Sequence, residues 1–586
     1  MLRGIFRTKD LDDILATAGG PQFSLKRTLG AFNVTLIGIG AIIGAGIFAT
    51  VGTAASGVTN EAGEVIRYGA GPSLMLSFAI TAVVCGFTAL CYAELASMVP
   101  ISGSAYTYSY ATLGELVAWI IGWDLIIEYA IGNVAVAISW AEFFHRLLRN
   151  LGIYFPDWLA TNYRIASPEV LASAPQIFGV PVVFNLLAFG IVALITVVLV
   201  WGIKESAEFN AVMVGIKILV LLFFIGVALY FVSPSTMVSN WQPFQPQGWA
   251  GTFTGAAVVF FAYIGFDAVS TVAEETKNPA RDLPIGIIAS LVICTILYII
   301  VAAVFTGIVP WPDIVAWTPA QRGEALTMAL EHVAPQATWQ NTVVAFGSVI
   351  AHTAVLLVFQ LGQPRIFFSM ARDGLLPSVF ASVHPRFKTP HVTTILTGVA
   401  VGGIAAFATV DEMVSLTNIG TLFAFMLVCI GVIVLRHKEP ARHRPFRVPF
   451  GPWLLPMLGA LSCLFLIYFL PEGSYWRFIG WLMLGMAVYV SYGYSRSAIG
   501  QRLGRPERAP FSLKLAAVGF LMLAVGLFTI PHDAGIRQLI AEAMTAGAEH
   551  HTRALIGFAL ILIGLLLGVG GSAAGVSRDE RETKDV

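Results

Sequence analysis

The chain has 586 residues, 57% of them apolar and only 12% charged, with 34 basic and 34 acidic side chains and a mean hydropathy of +0.79. Soluble globular chains carry about 25% charged residues, so this composition excludes an ordinary soluble domain. The absence of net charge excludes a basic field for nucleic acid. The five cysteines, Cys85, Cys91, Cys294, Cys429 and Cys463, all lie in apolar sequence without metal-ligand or disulfide spacing. They read as small buried hydrophobes, and no metal or cofactor is implied.

A membrane-crossing helix needs about 20 apolar residues. Such runs recur fourteen times, at 31–56, 72–98, 113–143, 184–202, 209–232, 250–272, 284–308, 339–370, 391–409, 413–435, 453–471, 478–494, 513–531 and 554–571. The expected fold class is an all-α membrane protein with about fourteen transmembrane helices. The polar, basic first 30 residues and the length of the first run do not suit a cleavable signal. If both termini are cytoplasmic, the segments on that side hold 23 Lys and Arg and the opposite segments hold 7. This is the positive-inside bias, and it predicts an even number of crossings. The Arg-rich stretch 436–452 reads as a cytosolic linker. It separates a working core, 31–435, from four additional helices over 453–571, with cytosolic segments at 1–30 and 572–586.

Runs one and six are interrupted in their middles. Run one reads Ile43-Gly44-Ala45-Gly46-Ile47, with Gly38 and Gly40 just before it; run six reads Phe260-Phe261-Ala262-Tyr263-Ile264-Gly265-Phe266-Asp267. Glycine permits unwinding. Unwound backbone in a membrane must face a cavity or a ligand. A half-helix N-terminus offers N–H donors to an anion, and freed carbonyls accept from a cation. A zwitterion carries both charges on adjacent atoms. The two breaks lie five runs apart, which predicts two inverted five-helix repeats with a site at the midplane. A bland alternative is close helix packing through the Gly40/Gly44 pair. The run Gly38-x-Gly40-x-x-x-Gly44 is no dinucleotide fingerprint, because no βαβ unit surrounds it.

These motifs, and several after them, resemble the cationic amino acid transporter branch of the amino acid–polyamine–organocation superfamily. The resemblance rests on Gly44-Ala45-Gly46-Ile47-Phe48, Gly71-Pro72-Ser73, Cys91-Tyr92-Ala93-Glu94-Leu95 and Val99-Pro100-Ile101-Ser102-Gly103-Ser104-Ala105-Tyr106. It continues through Gly122-Trp123-Asp124-Leu125, Gly202-Ile203-Lys204-Glu205-Ser206, Glu274-Glu275-Thr276-Lys277-Asn278-Pro279 and Arg372-Asp373-Gly374-Leu375-Leu376-Pro377. It covers about residues 20–450. It implies alternating access and amino acid uptake or exchange across the cell membrane, with the lipid bilayer as surroundings. It further implies that Ile43, Gly44, Ala45 and Gly46 hold a substrate carboxylate, and that Phe261, Ala262 and Ile264 take the amino group. Phe359 and Gln360 are then side-chain selectors.

Ionisable groups at membrane depth are functional candidates. Lys217 lies among Ile216, Ile218 and Leu219, too deep to snorkel. In proton-coupled members similar to this chain, a lysine on run five stands where sodium sits in sodium-coupled relatives, so Lys217 is the expected proton carrier. Glu128 is expected to face the pocket and meet a cationic side chain. Asp267 is expected to brace a half-helix N-terminus, and Glu94 to serve an inner gate. His352 is expected to be a satisfied packing histidine. A channel would need a continuous polar stripe or a filter repeat, an intramembrane enzyme would need a metal or catalytic motif such as His-Glu-x-x-His, and a nutrient sensor usually carries a long soluble extension. The sequence carries none of these. It leaves open which amino acid is carried, uptake against exchange, and whether a small membrane partner subunit sits beside run five.

Overall fold

The computed structural model describes residues 7–9, 27–59, 65–99, 104–202, 207–336, 338–387, 389–502, 511–529 and 555–568. Most of the N-terminal segment, the tail beyond 568, and the motif residues Pro100, Ile101, Ser102, Gly103, Ile203, Lys204, Glu205 and Ser206 lie outside these. The apolar runs form helices, because a helix satisfies its own backbone where lipid offers no partner. Among the described residues, eight helices are long and apolar enough to cross a membrane, or up to ten if each of two bent pairs is one crossing. The shorter apolar helices Leu186–Trp201, His391–Ala405 and Leu555–Gly568 fall below that length. Reaching fourteen requires counting these three as crossings and separating Leu454–Tyr468 from Glu472–Arg496, which meet at 116°. The length test alone therefore stops short of the expected number.

Run one is two helices, Ala31–Ile42 and Ala45–Ser56, bent by 41° at an extended Ile43. Run six is a helix, Gly248–Val259, followed by a tighter 3₁₀ turn at Phe260–Tyr263, extended backbone at Ile264, and a second 3₁₀ stretch, Asp267–Glu275. Gly265 sits between them at φ +126°, a conformation that side-chain-bearing residues rarely adopt. Run three keeps its path but is loosened into a π turn at Ile127–Ile131 between Glu115–Ile126 and Gly132–Asn150.

Runs two, three and four each pack against the run five places on. Leu74–Met98 lies on Pro279–Ile308, Gly132–Asn150 on Thr338–Arg372, and Leu186–Trp201 on His391–Ala405. The two halves of run one pack against the two 3₁₀ stretches of run six. This is the pairing that a two-fold relation between runs one to five and six to ten produces. With all ten runs counted as crossings, five is odd and the second set runs with opposite topology.

On one side, short helices Trp311–Ala316, Pro319–Gly323 and Ala325–Val333 cover the second half of run one. Arg322 donates to the carbonyls of Gly57 (3.0 Å) and Val315 (2.8 Å), and Trp311 to that of Ala55 (3.0 Å). On the other side Trp123 stacks on Trp481 of run twelve at 4.7 Å, each indole N–H donating to the other residue's carbonyl. Glu115 accepts from Tyr489 and Ser497 there, each at 2.8 Å. Helix Phe511–Thr529 packs on run twelve, and Gly519 closely approaches Gly568 of the last described helix.

Candidate functional site

The break in run one frees the carbonyls that would have accepted from residues 44, 45 and 46. The last regular bond runs from the Ile43 N–H to Ile39. The Gly40 carbonyl accepts from Lys217 Nζ at 2.6 Å, and the Ile42 carbonyl accepts from the Tyr298 hydroxyl at 2.9 Å. At the start of the second half, Ala45, Gly46 and Ile47 begin a helix that no side chain caps. Those N–H groups carry the positive end of the helix dipole and make a cradle of backbone donors.

Run six meets this cradle directly. A Cβ added at Gly46 would lie 2.2 Å from Ala262 Cα, and one at Gly265 would lie 2.8 Å from the Ala41 carbonyl. Each break therefore needs a glycine so that the other backbone can approach. A Cβ at Gly44 would come within 2.5 Å of Val355, so run eight closes the third side. Phe261, Ala262 and Ile264 are all buried beside the break. Asn418 of run ten donates to the carbonyls of Ala257 (2.8 Å) and Val258 (3.1 Å), holding the first part of run six in place.

Lys217 is fully buried. Its helix exposes Val212, Leu219, Leu222 and Tyr230 on the opposite side, where lipid receives them. A buried ammonium must be held by hydrogen bonds or a counter-charge. Here it donates to a carbonyl that exists as a free acceptor only because run one is broken.

One turn from Gly132, toward the Glu115 end of run three, lies a cluster of buried polar groups. Glu128 sits in the π turn, and Asp267 opens the second 3₁₀ stretch of run six and accepts from the Gly265 N–H at 3.3 Å. The two carboxyls face each other, with Asp124 and Tyr92 nearby. Glu128 lies within hydrogen-bonding reach of Asp267 and of the Thr421 hydroxyl, whereas both Asp124 oxygens, the Tyr92 hydroxyl and both ends of the Gln363 amide have no hydrogen-bond partner. Facing carboxylates shielded from water repel, so the arrangement is suited to hold one positive charge, a proton or a cationic group.

Of the other expected residues, Phe359 lies against Gly132 and packs on the Tyr129 ring at 5.6 Å. Gln360 accepts from Asn133 and donates to Thr196, both at 2.7 Å, so its amide is committed to bonds among runs three, four and eight. Glu94 is buried and accepts from two of the three Arg436 nitrogens and from the Val448 N–H at 2.8 Å, with Arg444 at 3.3 Å. It thus staples run two to the basic linker after run ten. His352 is satisfied by Ser139 (2.8 Å) and the Ser348 carbonyl (2.6 Å). Sequence reasoning did not single out Tyr298, Asn418, Asp124 or Gln363. For Gln363 the available signal is its spacing of four from Phe359 and eight from Val355, one stripe of a helix.

The helices, the paired breaks and the backbone cradle define a multi-pass membrane transport protein. A family model for amino acid permeases matches residues 29–491, and the chain belongs to that family. It is 46% identical over 502 residues to the branched-chain amino acid permease BcaP of Bacillus subtilis (strain 168), covering 86% of this chain and 100% of that one. It is 42% identical to the methylthioribose transporter of the same organism, covering 85% and 100%. It is 36% identical to the vacuolar cationic amino acid transporter 4 of Arabidopsis thaliana, covering 75% and 68%.

Proposed function

We propose that the chain moves an amino acid across the cell membrane by alternating access, with both termini in the cytoplasm, and that the movement is coupled to protons. The substrate carboxylate sits on the N–H groups of Ala45, Gly46 and Ile47, and its amino group on carbonyls of Phe261, Ala262 and Ile264. The observation that carries the reading is the Lys217–Gly40 hydrogen bond at 2.6 Å. The ammonium props open the unwound segment that forms the cradle. Releasing its proton removes a donor from that segment, so substrate affinity and protonation are linked and each must change the other equally. In this reading the core over 31–435 does the work, and the helices from 453 onward brace it.

Purified protein in proteoliposomes tests this with a panel of labelled amino acids, with and without a pH gradient and with and without sodium. Methylthioribose belongs in the panel, since the relative named for it is 42% identical to this chain. The expected result is amino acid accumulation that follows the pH gradient and ignores sodium. Equal counterflow without net accumulation identifies an exchanger, and uptake of methylthioribose alone overturns the zwitterion site.

A further inference from the structure

The far end of the helix that opens the cradle carries a second set of unpaired donors. Helix Ala45–Ser56 ends at Gly57, and the chain turns back through the hairpin Val58–Thr59 and Val65–Arg67, in which Val58 pairs with Arg67. A Cβ added at Gly57 would lie 2.5 Å from the Arg67 carbonyl, while the Gly57 carbonyl accepts from Arg322 Nη1 at 3.0 Å. One glycine thus brings two arginines together. Asp411, in the first turn of run ten, completes the group. Its Oδ2 lies 3.7 Å from Arg67 Nη2, and the charges of Asp411 and Arg67 both act on Arg322.

The negative end of the helix dipole accounts for two cations here. It does not account for their open donors. The Arg67 side chain is only 9% exposed, yet its Nε and Nη2 are buried without a hydrogen-bond partner. These two nitrogens form the edge of a guanidinium that binds both oxygens of a carboxylate at once. Asp411 stands too far off to hydrogen-bond that edge, and its side chain is 45% exposed. Arg322 spends Nη1 and Nη2 on the carbonyls of Gly57 and Val315, and its Nε is buried and unpaired as well. Buried donors left open are costly unless a ligand completes them. A flat two-donor edge fits a planar carboxylate better than a spherical anion.

We infer that Arg67, Arg322 and Asp411 form a loading site for an amino acid at the mouth of the transport path. The two arginines take the carboxylate, and Asp411 takes the ammonium. This rests on the amino acid transport reading above, in which this end of the helix faces the outside. The helix has twelve residues, so the loading site stands about 18 Å from the cradle. The two sites are separate, and a zwitterion occupies them in turn.

The test uses the full-length wild type, Arg67→Gln, Asp411→Asn and the double variant, with the best-carried amino acid of the panel above. Uptake into proteoliposomes gives KM and maximal rate, and calorimetry on the purified proteins gives affinity at the cradle. Arg67→Gln should raise KM about tenfold, the effect of one hydrogen bond to a charged group, with maximal rate and cradle affinity within about twofold. Asp411→Asn, at a half-exposed position, should raise KM in the same direction and keeps the test open should the arginine variant fail to fold. The double variant should be at least as impaired as Arg67→Gln. A plain ion pair predicts instead that the double variant recovers the wild-type KM, and that result overturns the loading site. So do an unchanged KM in both single variants, or equal losses in KM and cradle affinity. Replacing external chloride with isethionate should leave the wild-type KM unchanged; a chloride dependence that vanishes in Arg67→Gln gives the edge to chloride and overturns the loading site. A wild type that carries no amino acid overturns the transport reading and the loading site with it.

Discussion

Replacing Lys217 with methionine tests the coupling mechanism most directly. Methionine fills a similar volume, so the packing of run five against Gly40 and its neighbours is largely kept. What disappears is the donor to the Gly40 carbonyl. A hydrogen bond to a charged group contributes about 1.5–3 kcal/mol, and about 1.4 kcal/mol is a factor of ten. If the whole of that bond supports the cradle, substrate affinity should fall roughly 10- to 150-fold. Linkage sets the matching expectation for the wild type: affinity should weaken as pH rises through the range where the lysine releases its proton, by a factor of the same order. Calorimetry on the purified protein measures affinity, and uptake driven by an imposed pH gradient measures coupling. Lys217→Met should lose gradient-driven accumulation while keeping weakened binding. Accumulation by the variant that still tracks the pH gradient, or a wild type that stops without sodium, would refute the reasoning.

Gly46→Val should abolish binding and also lower the melting temperature, because its side chain meets the Ala262 backbone; a variant with full affinity would show that the breaks do not touch. Glu128→Gln should shift the arginine-to-leucine preference more than the maximal rate, and an identical preference would remove it from the pocket. Glu94→Gln should destabilise the protein by about 3–5 kcal/mol, the cost of breaking a buried ion pair, with substrate KM unchanged. A melting temperature equal to wild type would show that the Arg436 staple is dispensable.

The helices were legible because lipid forces a simple code: long apolar runs, punctuated by polar loops. The breaks were legible because the two glycine-bearing interruptions fall at matching places five runs apart, which helix packing alone does not require. Crossing number was harder to read, because runs four and nine form helices of only 16 and 15 residues and the turn at 470–471 leaves two helices that a length test treats as one bent pair. Side-chain roles were least legible. Phe359 and Gln360 are adjacent in sequence but about 100° apart on the helix, and the structure puts Gln360 into bonds with Asn133 and Thr196. The partner of Glu94 lies 342 residues away, and no local pattern announces it. The π turn at Ile127–Ile131 shifts which face of run three carries Glu128, and such a turn has no composition signature that a periodicity reading would catch.

The fate of the freed backbone groups at run one distinguishes a binding site from a packing defect. A kink that served only to bend the helix would leave its unpaired carbonyls and N–H groups to be satisfied alike, by water or neighbouring side chains. Here the two kinds are treated differently. The Gly40 and Ile42 carbonyls receive donors from Lys217 and Tyr298, on two separate runs, and Gly265 presses its backbone against the Ala41 carbonyl. The N–H groups that open the second half are left without a side-chain cap. Two of the three freed acceptors have side-chain donors, whereas no side chain caps the donors at the positive end of a twelve-residue helix. In the proposed function an anion completes that arrangement, and the tight approach of Ala262 to Gly46 confines it to a small one. A carboxylate attached to an amine that reaches the carbonyls of run six meets both requirements at once. In the proposed function the cradle selects the backbone shared by amino acids, and discrimination between them is left to side chains such as those along run eight.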